Sequence, residues 1–81
     1  MTLAELTEYV VKNLVKDPES VSVKQIDSVE DTILIEVIVS DEDMGCVIGK
    51  NGKIANSIRT IVQASAHIND SKKVKINIDS L

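Results

Sequence analysis

The most constraining feature of this sequence is the segment 32–40, TILIEVIVS, which carries the strongest β-strand signal in the chain. One face of this segment consists of β-branched residues, which favour extended backbone: Ile33, Ile35, Val37 and Val39. The other face also carries Leu34 and Ile38. We therefore expect the strand to be central in its sheet and largely covered on both faces.

Helical spacing of apolar residues appears on both sides of this strand. Thr2 and Glu5 form the pattern of a capping box, and the helix after it should end at Asp17-Pro18. Its apolar stripe is Leu3, Leu6, Val10 and Leu14. Ser40 and the acidic run after it predict the start of a second, short helix. A third helix is predicted from Gly52 to about Asn69, with a stripe formed by Ile54, Ile58, Ile61, Val62 and Ser65.

Two further strands complete the order α-β-β-α-α-β. Residues 21–29 are β-branched and partly alternating, and Val74, Ile76 and Ile78 alternate with polar residues. Turns are predicted at Glu30-Asp31 and Asp70-Ser71. The tight connection makes the first two strands antiparallel, and the two intervening helices permit a parallel third strand. We predict a single α+β domain over residues 1–81, with the helices packed on one face of a three-stranded mixed sheet.

The composition excludes several classes of protein. The chain has one Tyr, no Phe and no Trp, so an aromatic platform for stacking bases is not expected. The only cysteine, Cys46, cannot form an internal disulfide, which is typical of a cytoplasmic protein. No apolar run approaches the ~20 residues of a membrane span, and no signal-peptide pattern opens the chain.

Charge divides along the chain although the net charge is −4. Residues 1–44 carry eleven acids and three bases, whereas residues 45–75 carry six bases and only one acid, Asp70. This asymmetry favours an anionic partner for the second half. The alternative is that the charges mix on the folded surface and serve only solubility.

The motif with the clearest chemistry is Val47–Ile54, VIGKNGKI. Gly49 and Gly52 bracket a two-residue tip between two predicted helices, and glycine accepts positive φ and leaves the backbone accessible. The tip leads into a helix N-terminus, whose free amides attract an anion, and Lys50 and Lys53 add positive charge. These residues together predict a clamp for a phosphate backbone.

This motif and the element order resemble the type II KH domain, which binds RNA through a G-x-x-G loop. The segment from Asp43 to Val62 is similar to the KhpA family of small bacterial single-KH proteins. The resemblance implies that the loop 49–52, with Gly49, Lys50, Asn51 and Gly52, grips the backbone of about four nucleotides of single-stranded RNA. It also implies that Lys53 adds a cation. The other positions that it implies are Ile48 and Ile54 beside the base groove and Arg59 as a basic contact on the next helix. Cys46 departs from the family pattern, which has Lys or Arg there.

The same resemblance implies a non-enzymatic RNA chaperone or post-transcriptional regulator linked to cell elongation and division. It implies a homodimer and association with a larger Jag-like KH protein, with no cofactor. A second hypothesis is a dimerisation module with vestigial RNA binding, since the chain is acidic and its core is small.

Three other kinds of site are rejected on the sequence. The stretch Gly45–Asn51 is one residue short of a P-loop and ends in Asn where that motif needs Ser or Thr. A lone Cys46 and a lone His67 are poor evidence for nucleophilic catalysis and too few ligands for a metal. We therefore predict no catalytic residue and no metal site.

Overall fold

The computed structural model describes residues 2–27, 31–69 and 73–81, and its elements follow the predicted order. They are α1 (Leu3–Lys12), β1 (Ser22–Asp27), β2 (Thr32–Val39), α2 (Met44–Ile48), α3 (Lys53–Asn69) and β3 (Lys73–Ser80). Short 3-10 turns cover Pro18–Ser20, Asp41–Asp43 and Lys50–Gly52. The predicted turn residues Glu30, Asp70 and Ser71, and positions 28–29 of the first predicted strand, lie outside the described residues.

The three strands form one mixed sheet in the order β1-β2-β3. The pair β1–β2 is antiparallel, with Gln25 opposite Ile35, and the pair β2–β3 is parallel, with Ile35 opposite Ile76. Both predicted strand directions are therefore confirmed: the tight connection joins an antiparallel pair, and the helical crossover joins a parallel pair. The strand β2 is central, as predicted. The predicted α+β fold class is confirmed.

The core lies on one face of the sheet, where the helices pack. The buried residues of β2 are the four that were predicted, Ile33, Ile35, Val37 and Val39. Helical partners in the same cluster include Leu3, Val11, Val47, Ile58 and Val62. The second face of β2 is less well covered than the first: no described helix packs on it, Leu34 and Ile38 are half-buried, and their neighbour Ile26 on β1 is 47% exposed. Within the described part of the chain, β2 is covered on this second face only by side chains of the neighbouring strands β1 and β3.

The two longer helices bury the predicted stripes in part. Leu3, Ile58 and Val62 are buried, and Leu6, Val10 and Ile54 pack against the core. In α1 the buried line is Leu3, Thr7 and Val11, while Leu14 is exposed beyond the last helical residue. Thr7 is tolerated there because its hydroxyl donates to the Leu3 carbonyl at 2.8 Å. The buried line of α3 is Ala55, Ile58, Val62 and Ala66. Ile61 lies on the other side of α3 and is 49% exposed, because the small alanines bring the opposite side of the helix onto the sheet.

The capping signal at the first helix start is confirmed, whereas the signal before the second helix forms no side-chain cap and has a different role. The Thr2–Glu5 capping box forms, and the hydrogen bond from the Thr2 amide lowers the pKa of Glu5. Asp43, by contrast, makes no cap bond to α2. It is 1% exposed and accepts the amides of Lys16 and Asp17 at 3.1 and 3.0 Å and the Ser40 hydroxyl at 3.0 Å. Asp43 therefore fastens the chain after α1 to the start of α2.

Candidate functional site

The loop between α2 and α3 depends on left-handed backbone at three positions. Gly49 has φ 75° and ψ 176°, a region essentially restricted to glycine. Asn51 has φ 57° and ψ 26°, which asparagine tolerates better than most residues, and Gly52 has φ 74°. The Gly49 amide donates to the Gly45 carbonyl at 3.0 Å and the Gly52 amide to the Gly49 carbonyl at 3.2 Å. The positive φ expected of both glycines is confirmed.

The two loop glycines face different surroundings. A Cβ placed on Gly49 would lie 2.6 Å from Cγ1 of Ile54, so the loop backbone packs directly on the first turn of α3. A Cβ placed on Gly52 would meet nothing within 4 Å. Gly49 thus shapes the loop, and Gly52 leaves its outer surface open to a ligand.

The polar side chains of Lys50, Asn51 and Lys53 are exposed to solvent. Among the described residues 2–27, 31–69 and 73–81, none of these three side chains has a hydrogen-bond or ion-pair partner. The structure therefore brings Gly49, Lys50, Asn51, Gly52 and Lys53 together as one exposed cationic turn at the start of α3.

Ile48 and Ile54 are less exposed than the loop itself. Both are half-buried and pack against the core cluster. They support the loop from beneath, and other residues line the two cavities of the neighbouring surface.

These two cavities lie along the edge of β3, and Arg59 takes part in both. A cavity of about 580 Å³ between α3 and β3 is lined by Arg59, Thr60, Gln63, Ala64, His67 and Val74. A cavity of about 460 Å³ on the other side of the strand is lined by Glu36, Ile38, Arg59, Asn77, Ile78 and Asp79. Arg59 thus extends from α3 around the edge of the sheet.

Side chains of α3 also engage the backbone of this edge strand. Nη2 of Arg59 lies 3.5 Å from the Ile76 carbonyl oxygen, and Nη1 donates to Asn56 at 3.2 Å. The Val74 amide donates to Oε1 of Gln63 at 2.9 Å. Sequence reasoning selected Arg59 but missed Gln63 and the edge of β3. Their signal is the spacing of Arg59 and Gln63, four residues apart on the helix face beside the strand.

Other reactive groups form no second site in the described part of the chain. Cys46 is a half-buried free thiol on α2, whereas His67 is exposed near the far end of α3. No group of three or more metal-ligating side chains occurs among the described residues. None of the helices described is both long and apolar enough to cross a membrane.

Comparison with known proteins assigns the family. Residues 4–78 match the family model for the KH domain of KhpA/KhpB. The chain is 49% identical over 76 residues to RNA-binding protein KhpA of Clostridium perfringens, covering 94% of this chain and 99% of the relative. It is 37% identical over 76 residues to RNA-binding protein KhpA of Thermotoga maritima, covering 94% and 97% of the two chains.

A solved structure has the same fold at low identity. The crystal structure of Era in complex with MgGDPNP and nucleotides 1506–1542 of 16S ribosomal RNA matches with a TM-score of 0.69 and 19% identity. The match covers 96% of this chain but only 29% of Era. With its α-β-β-α-α-β order and mixed sheet, the chain belongs to the KhpA/KhpB family of KH-domain proteins.

Proposed function

We propose that this protein binds single-stranded RNA in the cytoplasm and acts as an RNA chaperone or post-transcriptional regulator. The observation that carries the proposal is the loop 49–52, where an open left-handed Gly52 and the unpartnered Lys50 precede the N-terminus of the 17-residue helix α3. The helix dipole at such a terminus favours phosphate, and glycine leaves room for a backbone-to-backbone approach. The names of the relatives, RNA-binding protein KhpA, support the same function.

The bases have a path along the groove between α3 and β3. At 1.5 Å per residue, α3 is about 25 Å long, which suits the roughly four nucleotides that a KH loop clamps. Arg59 supplies donors to base edges, and the nearby Ile76 carbonyl supplies an acceptor. The residues that line this groove include His67 but no Phe, Tyr or Trp, so we expect weak base stacking and a loose sequence preference.

The test replaces the loop tip with acids. Lys50→Asp together with Asn51→Asp places negative charge against the phosphates while Asp still tolerates the left-handed φ at position 51. We expect RNA binding to fall at least tenfold in fluorescence anisotropy. The control is the same dipeptide, Lys12-Asn13, at the exposed end of α1. Its substitution also removes the Lys12–Glu8 ion pair and the Asn13–Tyr9 hydrogen bond, so the fold of the control is checked by circular dichroism. Lys12→Asp with Asn13→Asp should leave the affinity within about twofold, and equal losses in both variants would refute the clamp.

A second candidate function, dimerisation, is favoured by an exposed apolar line on α3. Its residues are Ser57, Ile61, Ala64 and Ile68, with Ile61 at 49% and Ile68 at 81% exposure. The line is uncharged and repeats with heptad spacing. In an antiparallel pair of α3 helices, Ile61 would lie over Ala64 of the second copy, and Ile68 over Ser57. Each large side chain would thus face a small one.

Disruption of this line separates the two functions. Ile61→Asp with Ile68→Asp should convert a dimer to a monomer in analytical ultracentrifugation. RNA binding by one clamp should persist, at lower apparent affinity because two linked clamps raise the effective concentration. A wild-type monomer at high concentration would remove the homodimer and leave a Jag-like KH protein as the partner to test.

A further inference from the structure

Two lysines lie beside the α3–β3 groove, on the half of β3 that is farther from the loop. Lys73 and Lys75 are exposed and flank Val74, which lines the 580 Å³ cavity. In the sheet register they lie opposite Thr32 and Leu34, on the face of the sheet that carries no helix. Neither lysine has an ion-pair or side-chain hydrogen-bond partner among the described residues.

The direction of the elements fixes where this pair lies along the RNA path. Helix α3 begins at the loop and runs away from it, and the contacts Gln63–Val74 and Arg59–Ile76 show that β3 returns antiparallel to the helix. Lys75 lies between Ile76 and Val74, level with the stretch from Arg59 to Gln63, and Lys73 lies one residue beyond Val74. Both lysines belong to the other face of the sheet, so a strand that passes Arg59 and Gln63 reaches them only by crossing the β3 edge.

Among the described residues, charge along β3 favours an exit on the half of the strand that carries Lys73 and Lys75. Near the loop end of the groove, the second cavity places the carboxylates of Glu36 and Asp79 beside Arg59, and these carboxylates repel phosphate. At the other end of β3, the Lys73 amide donates to the Asp31 carbonyl at 3.2 Å. This contact places one acidic residue, Asp31, near Lys73. Lys73 and Lys75 are about 6.6 Å apart along the strand, a separation suited to successive phosphates of an extended chain.

We infer that Lys73 and Lys75 form a second phosphate site, which holds the RNA where it leaves the groove and turns over the β3 edge. This inference rests on the proposed RNA-binding function and specifies its substrate: single strands longer than the roughly four nucleotides of the clamp. The site adds affinity only for nucleotides beyond the clamp.

The experiment measures how the affinity for short and for longer RNA changes when the two lysines are replaced. Fluorescence anisotropy is measured with labelled oligouridylates of about four and about eight nucleotides. The variant Lys73→Glu with Lys75→Glu should bind the short RNA as the wild type does and should lose the gain of the longer RNA. At about 0.7 per phosphate contact, its salt slope for the longer RNA should be about 1.4 less steep. The milder Lys73→Gln with Lys75→Gln should give a partial loss, with the fold checked by circular dichroism.

The control carries the same change of net charge away from this edge, Lys12→Glu with Lys24→Glu. An equal loss in the control would show a nonspecific charge effect and overturn the inference. Retention of the long-RNA gain in the lysine variant, or an equal loss on both RNA lengths, would also overturn it. In both of those cases wild-type binding survives, whereas failure of the proposed function would appear as absence of wild-type binding to either RNA.

Discussion

The three glycines of this chain occupy three different physical situations, and each predicts a different effect of substitution. Gly49→Ala combines a glycine-only backbone region with a 2.6 Å contact to Ile54, and we expect it to destabilise the fold. Backbone strain alone costs about 1–3 kcal/mol. Gly52→Asp costs about 1 kcal/mol through its left-handed φ, but repels phosphate directly. Gly45 lies in α2 with open space around it, so Gly45→Ala should stabilise by about 0.5–1 kcal/mol.

Urea denaturation measures the stability of these glycine variants, and RNA titration measures their affinity. The Gly52→Asp variant should remain folded and lose RNA affinity, and Gly52→Ala separates the effect of charge from that of backbone strain. Collapse of far-UV dichroism in Gly52→Asp, or a stable Gly49→Ala protein, would contradict the assigned roles.

Asp43 predicts a dependence of stability on acid. Its pKa is lowered, chiefly by the hydrogen bond from the Lys16 amide, with further donors in Asp17 and Ser40. A carboxyl with a lowered folded-state pKa stabilises the fold above its unfolded pKa, and this contribution is lost as the pH falls through the folded value. Asp43→Asn should therefore lower the melting temperature at pH 7, and the gap to the wild type should narrow below about pH 4. Asp41→Asn, at an exposed neighbouring position, is the control; a constant gap across this pH range would contradict the role of the carboxylate.

At the scale of elements, the sequence was informative wherever one periodic pattern decided the structure. The alternation in β2, the capping box and the G-x-x-G loop are local signals, and each appears where it was predicted. The stripe of α3 is predictable only in part: Ile58 and Val62 are buried as expected, whereas Ala55 and Ala66 carry a weak hydrophobic signal although they occupy the buried side. Ile61 has a strong hydrophobic signal and is nevertheless 49% exposed, because hydrophobicity alone does not say which face of a helix the tertiary structure covers.

The groove beside β3 depends on long-range pairing, which is why residue spacing alone missed it. Arg59 and Gln63 come into contact with Ile76 and Val74 only because the crossover places α3 along the strand. The cavity lining, the Val74 amide and the two lysines around it belong to this tertiary arrangement. The family resemblance supplied Arg59, but it gave no information on where the guanidinium would lie.

Gln63 protects the exposed edge of β3, and this role predicts a stability effect. Its Oε1 accepts the Val74 amide at 2.9 Å, in place of the strand that a sheet interior would provide. Gln63→Leu leaves that amide without this acceptor and should cost about 1 kcal/mol. Gln63→Glu keeps an acceptor oxygen and is the matched control. Equal urea midpoints for the leucine variant and the wild type would rule out the protecting role.

At the scale of the whole molecule, the net charge of −4 conceals a cationic turn. Lys50, Lys53 and Arg59 lie at or near the loop, whereas the acids at positions 5, 8, 17 and 19 belong to α1 and the turn after it. At 0.15 M salt the Debye length is about 8 Å, so we expect the proposed contact of the loop with RNA to be largely independent of those acids. At 0.01 M it is about 30 Å, and the whole molecule then repels the polyanion.

This difference predicts a curved salt dependence. For an RNA of about four nucleotides, three cations at about 0.7 per contact give a slope of log K against log salt near −2 above about 0.1 M. Below that concentration the slope should flatten, because long-range repulsion offsets the gain from counterion release. Replacement of two exposed acids, Glu19→Gln with Glu42→Gln, halves the net negative charge and should reduce the flattening at low salt without changing the high-salt slope. A response that is flat at every salt concentration would mean that the loop lysines do not neutralise phosphate.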